Sequence, residues 1–362
     1  MIRSIAIFSA SFLISTGARS EQSFDFTSNK FEAYSEEIGH GWEPDSNESS
    51  RRFSVRVPEG NHRVTVKLGN PKAATTTIKA ELRRLMVENL STEAGASKEV
   101  TFIVNTRRST YGDGREVRLK DRERQSEWIA WDDNLTLEFI ESAPTLQKLI
   151  IEPALDMPTI FLLGDSTMCD QPSEPYASWG QMLTRFFGNE VAVANHGESG
   201  ESYSASLGRG RIAKVIDVMK PGDYLLLQFA HNDMKERGEG KGAFLNFKEG
   251  MLKHIAAARE KGGLPVLITP MHRRRFDDAG KVTNTFGDYP EAVRQAAKEQ
   301  NVSLIDLLGM SAKLYEALGA EGSAVLFKDG DGTHHNNYGA YQLAKCVAEG
   351  IRSDLPEVAR WN

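Results

Sequence analysis

The feature that most constrains this chain is a change of hydrophobic period near Pro158. Before it, short apolar runs alternate with polar residues. Examples are Arg63-Val64-Thr65-Val66-Lys67-Leu68, Thr101-Phe102-Ile103-Val104, Leu135-Thr136-Leu137-Glu138-Phe139 and Leu149-Ile150-Ile151-Glu152-Pro153. Period two marks strands with one buried face, and Gly, Asn, Asp and Pro clusters separate the runs at short intervals. Residues 21–155 therefore read as a β-sandwich domain. After Pro158 the pattern differs. Compact apolar strands over 159–163, 191–194, 224–229, 265–268 and 302–307 alternate with helical stretches over 178–187, 211–219, 244–260, 290–299 and 338–351. That order predicts βαβ units, with a parallel sheet covered by helices on both faces. Asp156-Met157-Pro158 is the expected linker, and residues 158–362 form the α/β domain.

A sheet of this kind binds ligands beyond the carboxyl ends of its strands, so the residues just after each strand carry the chemistry. Gly164-Asp165-Ser166-Thr167 follows the first strand, and Asn195-His196-Gly197-Glu198-Ser199-Gly200 follows the second. Ala230-His231-Asn232-Asp233 follows the third, and Asp331-Gly332-Thr333-His334 opens the last helix. A serine hydroxyl needs a base, a group that orients the base, and donors aimed at the developing oxyanion. Ser166 is the expected nucleophile, His334 its base and Asp331 the orienting carboxylate. The amides of Ser166 and Gly200 and the side chain of Asn232 are the expected oxyanion donors, with Gly197 an alternative to Gly200. Asp165 reads as a turn acid, and His196 and His231 as hydrogen-bonded loop residues.

These four blocks, in this order on an alternating α/β chain, resemble the SGNH (GDSL-like) hydrolases, and within them the rhamnogalacturonan acetylesterases. The matching stretches are Phe161-Leu162-Leu163-Gly164-Asp165-Ser166-Thr167, Gln228-Phe229-Ala230-His231-Asn232-Asp233, Thr269-Pro270-Met271-His272-Arg273-Arg274 and Asp331-Gly332-Thr333-His334. The resemblance spans residues 158–355. Leu82-Arg83-Arg84-Leu85-Met86-Val87-Glu88-Asn89 is similar to the N-terminal, galactose-binding-like β-domain of some bacterial members. The resemblance implies a flavodoxin-like three-layer fold, a Ser-His-Asp mechanism, no metal or other cofactor, and release of acetyl groups from acidic pectin. One departure stands out: the family has Gly before His-Asn-Asp, and here Ala230 occupies that position, where its methyl group would crowd the pocket.

His272, Arg273 and Arg274 follow the fourth strand on the ligand side, and a guanidinium fork suits a uronate carboxylate. With Trp179, which with Tyr176 follows the nucleophile and could pack a sugar ring, they are the expected substrate contacts; for Trp179 core packing is equally open. Asp329-Gly330-Asp331-Gly332 hints at a calcium loop but lacks its third ligand and the closing Glu. Other substrates remain open: acetylated xylan, a lipid ester, or a glycan bound without turnover.

Lys and Arg number 44 against 50 Asp and Glu, a net charge of −6. The first residues, Met1-Ile2-Arg3-Ser4, then an apolar run to Ile14, then Ala18-Arg19-Ser20, predict a cleaved signal peptide over 1–20. Its loss would remove Arg3 and Arg19 and take the charge to −8. An acidic chain argues against nucleic acid, and no other run is long enough to cross a bilayer. The expectation is a secreted or periplasmic esterase, without stable membrane insertion, whose partner is an acetylated acidic polysaccharide. No protein partner is implied. Cys169 and Cys346 fit neither a zinc pattern nor a disulfide-dense scaffold, and both one bridge and two thiols remain open.

Overall fold

The computed structural model describes residues 20–44, 50–141 and 146–355; residues 1–19 of the expected leader lie outside them. The first part is β-rich. Its strands are β1 (Gln22–Asp25), β2 (His40–Trp42), β3 (Ser50–Arg56), β4 (Gly60–Gly69), β5 (Ala74–Ala80), β6 (Arg84–Thr92), β7 (Ser97–Thr106), β8 (Thr110–Tyr111), β9 (Arg115–Glu116), β10 (Asn134–Glu141) and β11 (Leu146–Pro153). They form two larger antiparallel sheets, ordered β1-β11-β4-β7 and β2-β3-β10-β5-β6, and a small β8-β9 ribbon. Alternate residues of both larger sheets meet in one apolar core that includes Phe53, Val55, Val64, Val66, Leu68, Ile78, Leu135, Leu137, Phe139 and Leu149. The alternation read in the sequence is the inward face of these strands.

The second part carries a five-stranded parallel sheet. Its strands are β12 (Thr159–Gly164), β13 (Ala192–Asn195), β14 (Tyr224–Gln228), β15 (Leu264–Ile268) and β16 (Ser303–Ile305), ordered β13-β12-β14-β15-β16. Helices α1 (Trp179–Leu183), α2 (Tyr203–Arg209), α3 (Arg211–Val218), α4 (Lys248–Glu260), α5 (Tyr289–Gln300), α6 (Leu307–Gly322) and α7 (Asn337–Asp354) cover it. Ile160, Leu162, Val193, Leu226 and Val266 face α1 and α7. Phe161, Leu163, Ala194, Leu225, Leu227 and Leu267 face α3, α4 and α5. β12, β13 and β14 are thus buried on both sides along their whole length, which is why β12 and β14 read as continuous apolar runs. Counted along the chain the strand order is 2-1-3-4-5, the flavodoxin-like order, whose switch point lies between its first and third strands, here β12 and β14.

Two helices escape the sequence pattern. The 302–307 stretch ends early, because the Asp306 carboxylate accepts the Gly309 N–H and caps α6. Gly309 and Gly319 within α6 blur its period, and Gly319 has φ +73°. Ser202 likewise caps α2 by accepting the Ala205 N–H at 3.2 Å. No described helix is long and apolar enough to cross a membrane. Cys169 and Cys346 are both free thiols.

The two parts are joined through buried polar contacts. The turn between β5 and β6 inserts Leu82, whose carbonyl accepts Gln181 Nε2 at 2.8 Å. Arg84 Nε donates to Asp170 Oδ2 at 2.7 Å, and the two side chains are 1% and 2% exposed. Asp170 Oδ1 accepts Asn195 Nδ2, also at 2.7 Å. Farther along, Arg211 of α3 donates two hydrogen bonds to Glu123, at 3.0 and 2.6 Å. Leu85 packs into the core beneath α1 and α7.

Three outcomes follow for stability. Arg84→Ala leaves Asp170 as a buried charge without its cation and should cost about 3–5 kcal/mol in denaturant unfolding. Burial, above all, pushes the Glu81 carboxyl from its ordinary 4.5 up to about 8, against the pull of Arg84. Between these values the unfolded chain gives up the proton and the folded chain keeps it, so this group's contribution falls as pH rises. Glu81→Gln removes that loss; its melting midpoint relative to the parent should therefore rise from about pH 5 to about pH 8. Finally, Ala230 holds φ +122° while fully buried, a strained backbone for any residue with a Cβ. Ala230→Gly should relieve about 1–3 kcal/mol of strain, part of it offset by the freer unfolded chain, and raise the melting midpoint by a few degrees.

Candidate active site

The carboxyl edge of the parallel sheet gathers the expected residues. β12 ends in Gly164, where an added Cβ would sit 2.3 Å from the Gln228 carbonyl oxygen, so only glycine lets the two strand ends approach so closely. The chain then turns at Asp165, whose Oδ1 accepts the Thr167 N–H at 3.0 Å and the Thr167 hydroxyl at 2.8 Å. Burial raises the Asp165 carboxyl above its ordinary value, and it serves the turn, as expected. Ser166 stands at the top of this turn. Its carbonyl accepts Ser178 Oγ at 2.6 Å and Gln171 Nε2 at 2.9 Å, so its backbone is fixed and its hydroxyl faces the cleft.

His334 Nε2 lies 3.1 Å from Ser166 Oγ, and His334 Nδ1 lies 2.8 Å from Asp331 Oδ2. The other Asp331 oxygen accepts the N–H groups of Thr333 at 2.7 Å and His334 at 3.1 Å. Partial burial alone would raise this carboxyl, but the hydrogen bonds from the His334 ring and the two amides outweigh it and hold Asp331 below its ordinary value. A carboxylate so held fixes the proton on Nδ1 and leaves Nε2 as the acceptor facing the serine. The neighbouring His335 is different: burial drives it down to about 3, and the Tyr315 hydroxyl lies 2.8 Å from its ring.

The cleft around Ser166 has a volume of about 330 Å³ and is lined by Arg122, Gln171, Tyr176, Ser199, Gly200, Asn232, Lys235 and His334. Of the two candidate glycines, Gly200 borders the cleft with φ +76°. Gly197 lies beneath, its N–H donating to Asn195 Oδ1 at 3.1 Å. Asn232 is anchored by Nδ2, which donates to the Glu201 carbonyl at 2.9 Å, while its Oδ1 accepts Lys235 Nζ at 2.9 Å. Ala230 is packed in the apolar core and not in the cleft lining, so its extra methyl strains the backbone and does not crowd the pocket.

The expected substrate contacts require correction. Trp179 is fully buried and donates Nε1–H to Gln228 Oε1 at 3.0 Å, so no sugar can reach it. It opens α1, whose inner face packs on the sheet. His272, Arg273 and Arg274 lie outside the cleft lining. His272 is buried; Arg273 sits over the Phe286 ring at 4.8 Å and donates to Thr285 Oγ1 at 3.1 Å. Arg274 donates Nε–H to Ser323 Oγ at 3.2 Å, and its backbone N–H holds the Gly332 carbonyl at 2.7 Å. Arg274 thereby braces the loop that carries Asp331. The His231 side chain departs from expectation: among the described residues neither of its ring nitrogens has a partner, and its ring packs edge-on against Phe286.

The cations that do rim the cleft come from elsewhere. Arg122 belongs to the β-rich part, 44 positions before Ser166, within Lys120-Asp121-Arg122-Glu123-Arg124, a charged run with no motif to single it out. Lys235 follows β14 and lines the cleft, while Lys328, outside the lining, has its Nζ over the Tyr176 ring at 5.8 Å. Among the described residues neither lysine has a carboxylate within ion-pair distance. Trp128 is 47% exposed on the β-rich part, whereas Trp131 stacks under Arg107 at 4.4 Å. No group of three or more His, Cys, Asp or Glu among the described residues is placed to hold a metal ion.

Comparison with known proteins supplies the family. Residues 162–342 match the model of the GDSL-like Lipase/Acylhydrolase family. The chain is 42% identical over 207 residues to rhamnogalacturonan acetylesterase RhgT of Bacillus subtilis (strain 168), covering 53% of this chain and 88% of that one. It is 35% identical over 200 residues to the probable rhamnogalacturonan acetylesterase YesY of the same organism, covering 53% and 92%. A crystal structure of the protein YxiM of Bacillus subtilis superposes with a TM-score of 0.54 at 26% identity, over 92% of this chain and 98% of that one. That similarity takes in the β-rich part as well as the α/β part. The chain belongs to the GDSL-like lipase/acylhydrolase family, the SGNH hydrolases, resembles its rhamnogalacturonan acetylesterases most, and is a carboxylic ester hydrolase.

Proposed function

We propose that the chain is an exported O-acetylesterase of acidic polysaccharide, rhamnogalacturonan in particular, working through a covalent acetyl-enzyme on Ser166. The observation that carries this reading is the unbroken line Ser166 Oγ, His334, Asp331, at 3.1 and 2.8 Å, opening into a cleft lined by Lys235, which has no carboxylate partner among the described residues. Ser166 Oγ attacks the acetyl carbonyl carbon while His334 Nε2 takes its proton. The tetrahedral oxyanion accepts from the N–H groups of Ser166 and Gly200 and from the Asn232 amide. Collapse breaks the bond to the sugar oxygen, which leaves with the proton from His334. Water, activated by the same imidazole, then releases acetate. Asp331 keeps the imidazole in the right tautomer and balances its charge in both halves.

Lys235 and Lys328 support an acidic substrate, since cations without carboxylate partners beside a cleft attract uronate groups locally even on an acidic protein. The open, shallow cleft suits a polymer better than a long acyl chain. The curated relatives named for rhamnogalacturonan acetyl esters point the same way. Residues 21–155 are read as a galactose-binding-like domain that here completes the cleft rim through Arg122. The basic and then apolar first 20 residues support export.

Acetate release across acetylated rhamnogalacturonan and acetylated xylan tests the substrate. Release should be fastest from rhamnogalacturonan and absent from Ser166→Ala. Equal rates on neutral xylan, or p-nitrophenyl ester activity that rises with acyl length, would displace the acidic-polysaccharide reading. Asp331→Asn, which keeps the shape but favours the wrong tautomer, should lower kcat by about 10⁴.

A further inference from the structure

The β-rich part does more than rim the cleft. Lys120 Nζ donates to the carbonyl oxygen of Ser199 at 2.5 Å, and Arg122 Nη2 donates to the same oxygen. That carbonyl belongs to the peptide group whose other end is the N–H of Gly200. A trans peptide is planar and carries its C=O and N–H on opposite edges. Two cations gripping the oxygen from the β-rich side therefore turn the Gly200 N–H away from them. Gly200 borders the cleft together with Ser166 and His334. Among the described residues its N–H has no acceptor.

The grip is itself held. Lys120 Nζ lies 2.6 Å from Glu201 Oε1, and Arg122 contacts Glu198 and lies 3.6 Å from Glu127. Arg211 Nε lies 3.5 Å from Glu201 and its Nη2 lies 2.6 Å from Glu123, with all three side chains 1% exposed. These carboxylates largely neutralise Lys120 and Arg122, which suits them for orienting a dipole more than for attracting a distant anion. Hydrogen bonds in series also strengthen one another, so two charged donors on the oxygen make the N–H of the same group a better donor.

We propose that Lys120 and Arg122 are positioning residues for ester hydrolysis: they aim and polarise the Ser199–Gly200 peptide so that the Gly200 N–H meets the oxyanion. This rests on the reading of Ser166 as nucleophile and Gly200 as an oxyanion donor. It makes the β-rich part an element of the catalytic step as well as of the rim.

The test uses the full-length chain and p-nitrophenyl acetate, which has no carboxylate for a cation to bind. Lys120→Met with Arg122→Met should lower kcat by about 10- to 100-fold, since losing an oxyanion donor outright costs about 10²–10³-fold, with KM within about twofold. Exchanging the cations, Lys120→Arg with Arg122→Lys, should recover most of that loss, which a general loosening of the fold would not allow. In ¹⁵N spectra the Gly200 amide should move in the double methionine variant and return with the exchanged pair. Unchanged kcat, a loss not recovered by the exchange, or an unmoved Gly200 resonance would each overturn the proposal. If Ser166→Ala retains the parent's activity, the nucleophile reading fails, and the Gly200 resonance still decides whether the clamp exists.

Discussion

The pairing of Arg84 with Asp170 is the constraint on which the arrangement depends. Both charges are almost completely out of water, and a buried charge is tolerable only when its partner and remaining hydrogen bonds are in place. Asp170 meets that demand from two directions, with Arg84 at the start of β6 and Asn195 at the end of β13. Three segments distant in sequence are thereby held at one point, four residues past Ser166. Arg107 adds a bond to the Asn195 carbonyl from the β-rich side. The loop that bears the nucleophile and the loop that bears Gly200 are thus joined through Asp170 and Asn195, and Arg84 and Arg107 of the β-rich part hold both ends of that link.

The sheet supplies the other half of the geometry. Parallel strands buried on both faces present only their ends to solvent, and the order β13-β12-β14 sets three such ends side by side. Ser166, Gly200 and Asn232 each follow one of them. The fourth contribution, from the loop before α7, arrives with its own internal hydrogen bonds, so Asp331 and His334 are oriented before any contact with Ser166. Arg274 and Gly332 join that loop to the one after β15.

Most of the sheet was legible because continuous apolar runs have few other uses, and the strand-end residues were legible because their turns are local. Ser166, Gly200, Asn232, Asp331 and His334 fall at one edge for that reason. What was not legible is where long side chains turn. His272, Arg273 and Arg274 do leave the sheet at the ligand end, but Phe286, Thr285 and Ser323 offer them closer partners than the cleft does. Trp179 was expected to face a sugar because α1 is only five residues long and shows too little period to reveal its buried face. Arg122 carried no signal: its role is set by Ser199, 77 positions away, and no local pattern encodes such a contact.

The buried pair of Arg211 and Glu123 spans the two parts of the chain much as Arg84 and Asp170 do. Its consequence concerns descent. Exchanging the base for a neutral residue leaves Glu123 buried without its cation, and exchanging the acid leaves Arg211 with only the longer contact to Glu201. Residues on opposite sides of this seam can therefore change only in matched steps, and a new N-terminal part grafted onto this α/β part would have to bring its own acid for Arg211 and its own base for Asp170.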